Sequence, residues 1–237
     1  MWQSFRAFVL THVPYGEKGV ILRCLTDAHG QQAYFLPSIR SKKSVVRPAM
    51  LLPFTPLHLV ARHREREQLE RIREARILHH FQSLHIDPLK SATSLYLAEL
   101  TQQLFSEGQE QKRLWELLFS ALCKYDDVDD DIHFPLWLSL RLFAQAGFAI
   151  PPRTREEGRF SILQGDWISG DLPDSLTESS SALLDTLLRS SAEDSRSVRS
   201  QRIARTELMN GLLIYLQHHV PGSRPLKSVD VLRELLA

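Results

Sequence analysis

Apolar and polar residues form short runs over the first quarter of the chain, and this pattern predicts β-strands. Residues 5–10, 20–26 and 31–36 are rich in apolar side chains, and turn-forming residues separate them. Residues 50–54 and 57–62 form further apolar runs that are broken by prolines. Several short strands at this spacing indicate a small barrel or a sandwich.

From residue 88 onwards, apolar residues recur every three or four positions, which predicts helices. Residues 134–146 are apolar nearly all round, so we expect that helix to be central and buried. Residues 151–174 carry glycine, proline and charged residues, and predict a loop or a small hairpin. Strands followed by helices place the chain in the α+β class. The predicted helices cover 88–105, a stripe at 114–122, 134–146, a stripe at 183–188, 203–218 and 228–236.

The composition is that of an ordinary globular protein, with 43% apolar and 24% charged residues. A transmembrane helix needs roughly 20 consecutive apolar residues, and no run approaches that length, so we predict a cytoplasmic protein. Cys24 and Cys123 lie far apart in sequence, which fits neither a disulfide framework nor a pair of metal ligands. We expect both cysteines to act as small buried apolar residues.

The net charge of +1 conceals two parts of opposite sign. Up to Arg76 there are 13 Lys and Arg against 6 Asp and Glu, a net charge of +7. The remaining residues carry 16 against 22, a net charge of −6. An N-terminal part with this excess of positive charge suits a polyanionic partner.

Residues 39–47 concentrate the positive charge in a short loop that contains Arg40, Lys42, Lys43 and Arg47. This composition suits phosphate binding, and the alternative is a solvated surface loop. Aromatic side chains nearby either stack on bases, at roughly 1–3 kcal/mol each, or lie in the core. The aromatic candidates are Tyr15, Tyr34, Phe35 and Phe54.

The sequence motifs of catalysis are missing. A calcium loop starting at Asp127 would need Gly at its sixth position and Glu at its twelfth, where Ile132 and Leu138 stand. We therefore interpret the acidic run at 126–131 as a connection between helices. There is no Gly-rich phosphate loop and no Gly-x-Ser-x-Gly nucleophile motif, so we predict that the protein is not an enzyme and uses no cofactor.

Segments at both ends of the chain carry a recognisable pattern. They are Arg6-Ala7-Phe8-Val9-Leu10, Pro14-Tyr15-Gly16-Glu17-Lys18, Thr26 with His29-Gly30, Arg40-Ser41-Lys42-Lys43-Ser44, Pro53-Phe54-Thr55-Pro56-Leu57 and Arg224-Pro225-Leu226-Lys227-Ser228-Val229-Asp230-Val231-Leu232. In order and spacing they resemble the RecO family of bacterial recombination mediators.

The resemblance implies an oligonucleotide-binding (OB) β-barrel at residues 1–80 and a larger helical domain at 81–237. It makes residues 64–76, whose spacing alone leaves strand and helix open, the last barrel strand leading to the first helix. The family binds single- and double-stranded DNA, anneals complementary strands and acts with the partner RecR to load recombinase. The recombinase is loaded onto DNA that is coated by single-strand binding protein. The resemblance therefore also implies that this chain is associated with the nucleoid.

In this family the basic loop contacts DNA, so the role carries over to Arg40, Lys42 and Lys43. Other basic residues of the strand region complete the predicted DNA-binding set, namely Arg6, Lys18, Arg23 and Arg47. One departure lies just before the loop, where many members have Lys-Gly and this chain has Pro37-Ser38. That difference removes one phosphate contact.

The helical domain departs from the family twice. Many members hold zinc with four cysteines, and residues 151–174 contain none, so we expect an irregular insert and no metal. Members also carry an Arg-Arg pair for docking the acidic tail of single-strand binding protein. Leu136 and Trp137 occupy those positions, which leaves Arg141 as a substitute candidate.

Arginine recurs at every third position near the start of the long helix predicted at 203–218, which indicates either a second basic surface or a solvated face. These residues are Arg196, Arg199, Arg202 and Arg205. The alternative function from another class is an interaction scaffold that contacts DNA only within a complex. A hydrolase is a more distant alternative, because no constellation of nucleophile and base is visible.

Overall fold

The computed structural model describes residues 2–39, 41, 44–62, 69–106, 108–154, 158–170 and 172–235. The chain forms two compact units, Met1–Cys123 and Lys124–Ala237. The first unit contains a five-stranded sheet and two helices, so it extends past the predicted boundary at residue 80. That boundary stays a prediction.

Five antiparallel strands form the sheet of the first unit in the order β3-β2-β1-β4-β5. The strands are β1 (Trp2–Tyr15), β2 (Gly19–Thr26), β3 (Gly30–Leu36), β4 (Pro56–Arg62) and β5 (Ile72–Ile77). The predicted strands at 5–10, 20–26, 31–36 and 57–62 are confirmed. The spacing of residues 64–76 is compatible with a strand or a helix, and the end of that segment forms the strand β5.

The apolar run at 50–54 does not form a strand. A short 3-10 helix covers Pro48–Leu51, because proline suits the first position of a helical turn. Phe54 follows with φ at 59° and is fully buried. Its backbone N–H donates to the Val9 carbonyl at 2.7 Å, which holds the turn against β1.

The edges of the sheet come together at one point. Tyr34 of β3 forms an isolated parallel bridge with Glu70, and the Phe35 N–H donates to the Glu70 carbonyl at 2.9 Å. β5 begins only at Ile72, so its overlap with β3 is short. Within the described residues the strands therefore form a curved sheet without a continuous ladder between β3 and β5.

Alternate side chains of the strands fill one core, as the period of two in a β-strand requires. The core includes Phe5, Ala7, Val9, Val20, Leu22, Cys24, Tyr34, Leu36, Val46, Leu57, Leu59, Ala61 and Ile72. Burial raises the pKa of the Cys24 thiol well above its usual range. Because β1 is bulged between Val9 and Thr11, a different set of alternate residues faces outward beyond that point.

Two helices complete the first unit, α1 (Pro88–Leu104) and α2 (Lys112–Asp126), whose last residues pass into the second. The Asp87 carboxylate caps α1 by accepting from the Lys90 N–H at 2.9 Å. Trp115 of α2 stacks on Phe8 with 4.9 Å between ring centroids, so the helix covers one end of the sheet. Gly30 is required at the β2–β3 turn, because its φ is +65° and a Cβ there would lie 2.7 Å from a backbone oxygen.

Within the described residues, the second unit contains the last four of the six predicted helices and one hairpin. The elements are α3 (Phe134–Gln145), β6 (Arg159–Ser161), β7 (Asp166–Ile168), α4 (Glu178–Arg189), α5 (Arg202–His219) and α6 (Val229–Leu235). α3 is buried along most of its length, as predicted. β6 and β7 pair antiparallel, so a small hairpin forms within the 151–174 segment.

Candidate nucleic-acid interface

The basic loop is only partly described. Arg40, Lys42 and Lys43 lie outside the described residues. The loop is anchored beside them, because Val46 is fully buried in the core of the sheet. The Ser44 hydroxyl lies 2.6 Å from the Ser38 carbonyl and 2.7 Å from the Val46 carbonyl, which ties the two sides of the loop together.

Arg47 lies where the loop enters the 3-10 helix, and its side chain is exposed. Among the phosphate contacts predicted in this loop, Arg47 is therefore the one that lies within the described residues. Its neighbour Val46 fixes the backbone, so the exposed guanidinium projects from an anchored segment.

An aromatic and basic face lies on the outer side of β1, β2 and β3. We call it the β2–β3 face, formed by Tyr15, Lys18, Ile21, Arg23 and Phe35. The Tyr15 and Phe35 rings meet edge to face with 5.7 Å between centroids, and Tyr15 is 55% exposed. Lys18 is exposed in the β1–β2 turn, and Arg23 is exposed on β2. OB-folds bind oligonucleotides through this combination of strand face and turn.

Gly19 lets the Phe35 ring lie close to the backbone. A Cβ at this position would lie 2.7 Å from Cε2 of Phe35 and 2.6 Å from the Tyr15 carbonyl oxygen. The Phe35 ring therefore lies directly over the strand at Gly19, beside the exposed Tyr15 ring.

The other two aromatic candidates lie in the core. Phe54 is fully buried and Tyr34 is 2% exposed. Burial raises the pKa of the Tyr34 hydroxyl well above its usual range. Neither ring is accessible for stacking in this structure.

Arg6 has its charge balanced within the first unit. Its Nε donates to the Asp27 carboxylate at 2.8 Å, and a second nitrogen lies 3.5 Å from the Glu116 carboxylate. The guanidinium also lies 4.1 Å from the centroid of the Trp115 ring. Arg6 thus links β1 to the β2–β3 turn and to α2, which is a structural task.

Sequence analysis did not identify a second group of exposed cations on the sheet. Arg62 and Arg73 lie over the ring of Trp2, and Arg71 is nearby. The sequence signal is the recurrence of arginine at the end of β4 and the start of β5. Trp2 itself gave no signal, because it precedes the apolar run that predicted β1.

Arg141 of α3 is engaged at the end of another helix. Its guanidinium donates to the carbonyl oxygens of Leu188 at 3.1 Å and Ser190 at 2.6 Å. The Trp137 indole N–H also donates to Ser190, at 3.0 Å. A cation suits the carbonyl end of a helix such as α4, and burial lowers the pKa of Arg141 from its ordinary value.

The arginine row does not form one helical stripe. Arg196 lies in a 3-10 helix and Arg199 in a segment that is neither helix nor strand, because α5 begins only at Arg202. Arg205 donates to the Ser200 carbonyl at 2.9 Å, so it fastens the start of α5. The first three arginines are exposed, and a second basic surface formed by the four stays a prediction.

The acidic run ends in a buried cap. The Asp131 carboxylate accepts from the N–H groups of His133 and Phe134, both at 3.1 Å, and from the Ser195 hydroxyl at 3.2 Å. Burial raises the pKa of Asp131. Across the ranges given above, no three His, Cys, Asp or Glu residues lie together as metal ligands would.

His133 lies beside this cap, and its Nε2 is 2.7 Å from the Ser200 hydroxyl. Burial, together with the positive charge of Arg205, lowers the pKa of His133 to about 4. The His133 ring is therefore neutral in the folded protein at neutral pH.

The structure defines the class of protein first: a mixed α+β chain in which an N-terminal antiparallel sheet precedes a set of helices. Comparison with known families is more specific. Residues 1–81 match the family described as "Recombination protein O N terminal", and residues 85–230 match "Recombination protein O C terminal". The chain belongs to the RecO family, which confirms the resemblance in its motifs and gives it a role in DNA repair and recombination.

Relatives that match along the full length are described as DNA repair protein RecO. The chain is 28% identical over 233 residues to a DNA repair protein RecO of Flavobacterium psychrophilum, covering 98% of both chains. It is 27% identical over 232 residues to one from Christiangramia forsetii, with 97% coverage of both. A DNA repair protein RecO of Phocaeicola vulgatus is 27% identical over 246 residues, with full coverage of both. No helix in the described ranges is long and apolar enough to cross a membrane.

Proposed function

We propose that this protein is a non-enzymatic recombination mediator that binds single- and double-stranded DNA and anneals complementary strands. With RecR it loads recombinase onto DNA that is coated by single-strand binding protein. Membership of the RecO family supports this proposal. The observation that carries it is the β2–β3 face, where the exposed Tyr15 ring and the half-buried Phe35 ring lie beside exposed cations on a basic unit.

The interface we propose has two parts that act differently. Arg40, Lys42, Lys43 and Arg47 of the loop neutralise phosphates, which releases counterions and supplies most of the affinity. Tyr15 and Phe35 offer ring surface to unpaired bases, which adds affinity without reading the sequence. Lys18 and Arg23 flank the rings and contact the backbone between them. In this arrangement the sheet acts as an OB-fold.

We leave Arg6 out of this interface, because Asp27 and Glu116 already balance its charge. We also propose a structural role for Arg141. Binding the acidic tail of single-strand binding protein there would break the hydrogen bonds that hold the end of α4. Tail docking at another place in the chain is compatible with the proposal.

Annealing requires two strands held close together with their charge neutralised. The loop and the β2–β3 face provide one binding surface. Arg196, Arg199 and Arg202 are exposed cations that a second strand could use. We propose the arginine row as that second surface, with Arg205 serving as its anchor.

The test replaces Arg40, Lys42 and Lys43 together by alanine. We expect the affinity for a labelled single-stranded oligonucleotide to fall at least tenfold, because about three phosphate contacts are lost, while thermal stability stays nearly unchanged. The measurement is fluorescence anisotropy at low salt, with a thermal melt of each variant. Unchanged affinity would remove the loop from the interface.

A charge-matched control separates contact from general electrostatics. Lys42→Ala with Lys43→Ala removes two adjacent cations, and so does Lys112→Ala with Arg113→Ala, where both side chains are exposed on α2. Only the first pair is expected to weaken binding. If the isolated wild-type protein binds no strand at low salt, the scaffold alternative replaces the proposal.

A further inference from the structure

A second aromatic and basic group lies where β1 begins, β4 ends and β5 begins. We call it the Trp2 patch, formed by Trp2, Arg62, Arg71 and Arg73. The Arg62 guanidinium lies 4.8 Å from the centroid of the Trp2 ring, and that of Arg73 lies 5.7 Å from it. Trp2 pairs directly with Arg62 across the strands, which fixes the position of the ring at the sheet surface.

The Trp2 ring is unusual for its exposure. It is 37% exposed, whereas Trp115 in the same unit is 3% exposed. More of Trp2 than of Trp115 is therefore open to a ligand. The patch lines a cavity of about 480 Å³, which also includes Leu69 and Glu70.

The charge of the patch favours an anionic ligand. Arg62, Arg71 and Arg73 are exposed. Glu74 lies 3.4 Å from Arg73, but both side chains are more than half exposed, so this pair is weak. A phosphate can therefore compete with the carboxylate for the guanidinium.

The patch is continuous with the proposed interface. Arg71 and Ile72 line the cavity beside Trp2, and they also line a second cavity, of about 280 Å³, together with Phe35, Ser38, Ser41 and Ser44. That second cavity lies between the β2–β3 face and the base of the basic loop. A strand that leaves the loop thus reaches Trp2 past Arg71, and in the cavity beside Trp2 three arginines outnumber the one acidic residue, Glu70.

We propose that the Trp2 patch is a stacking site for an unpaired base of a single strand that continues from the basic loop. This inference rests on the proposed function. The base lies on the exposed part of the indole, and the flanking phosphates contact Arg62, Arg71 and Arg73. Stacking on a base contributes more than an exposed cation–π contact, so a strand can displace a guanidinium from the ring.

The inference requires that loss of the Trp2 ring lowers the affinity for single-stranded DNA more than the affinity for duplex DNA, because only an unpaired base can stack on the ring. Trp2→Leu keeps an apolar side chain but removes the ring. We expect it to lower the affinity for a labelled oligothymidine about 5- to 50-fold and to change the affinity for a duplex of equal length less than about twofold. Trp2→Phe keeps a ring and is expected to retain most of the affinity. Arg113→Ala, on α2, is the control for an exposed residue away from the patch.

Tryptophan fluorescence provides a readout that does not depend on affinity. The chain contains four tryptophans. We expect saturating oligothymidine to quench the emission of the wild-type protein and to leave the emission of Trp2→Phe nearly unchanged. Equal quenching of both proteins would overturn the inference.

The outcomes separate this inference from the proposed function. If Trp2→Leu binds the single strand like the wild type while the triple loop variant does not, the Trp2 patch is not a DNA site and the proposed function stands. An equal loss on single strand and duplex would also overturn the stacking site. If the wild-type protein binds neither, the proposed function itself fails.

Discussion

Arginine performs two opposite tasks in this protein, and each unit provides an example of one. In the first unit Arg23 and Arg62 extend from strands into solvent, beside exposed rings. In the second unit Arg141 donates its hydrogen bonds to the carbonyl oxygens at the end of α4. The comparison shows that a count of positive charges does not locate a binding surface. What matters is whether each guanidinium already has partners.

Arg6 shows that the difference is not simply one between units. It lies on the same sheet as Arg23, yet its charge is balanced by Asp27 and Glu116. The exposed cations of the sheet are thus a smaller set than the charge of +7 up to Arg76 suggests. That smaller set is the one that is free to neutralise phosphate.

The largest effect on stability is expected from Arg141→Ala. The substitution leaves carbonyl oxygens at the end of α4 without a charged donor, which costs about 2–3 kcal/mol. Chemical denaturation should show this loss, whereas Arg196→Ala, which removes an exposed arginine, should change stability by less than about 0.5 kcal/mol. An Arg141→Ala protein that is as stable as the wild type would contradict the capping role.

The second prediction concerns the stability of the protein at acidic pH. Because the pKa of His133 is lowered to about 4 in the folded protein, the unfolded chain binds the additional proton first as pH falls below the ordinary histidine value. Stability should therefore decrease from pH 6.5 towards pH 4.5, by about 2 kcal/mol from this residue. The raised pKa of Asp131 acts in the opposite direction and reduces the net change.

His133→Gln removes the titrating group and should flatten this decrease. Denaturation curves at pH 7, 5.5 and 4.5 for both proteins measure the difference. A wild-type protein whose pH dependence matches that of His133→Gln over this range would show that the ring does not titrate as described.

The third prediction compares two arginines of the same sheet. Arg6→Ala should cost about 1–2 kcal/mol of stability, because an ion pair and a cation–π contact are lost, and it should leave the affinity for DNA unchanged. Arg23→Ala should lower that affinity about fivefold and leave stability unchanged. Denaturation and anisotropy on both variants test the pair, and the reverse assignment of effects would contradict the distinction.

The strands and helices were predictable because their apolar periodicity reflects burial on one face. Four strands and the six helices lie close to where the pattern placed them. The pattern failed at 50–54, where proline favours a 3-10 helix and Phe54 adopts a positive φ to reach the core. It also missed the first residues of β1, because Trp2 lies on an exposed part of the strand.

The site was less predictable, because side-chain partners come from distant parts of the chain. Arg141 meets Ser190, and Arg6 meets Asp27, contacts that local spacing does not reveal. Tyr34 and Phe35 are adjacent and both aromatic, yet one lies in the core and the other on the outer face. Only the register of the strands decides which of these two rings lies in the core and which lies on the outer face.

The central claim is that exposed cations of the first unit bind the sugar-phosphate chain, and the salt dependence of binding tests it most directly. Titrations of a labelled single strand across a salt series should give a steep linear fall of log affinity with log salt, at about 0.7 per phosphate contacted. The variant with alanine at Arg40, Lys42 and Lys43 should have a slope shallower by about 2. Equal slopes for the two proteins, or binding that does not respond to salt, would contradict the account.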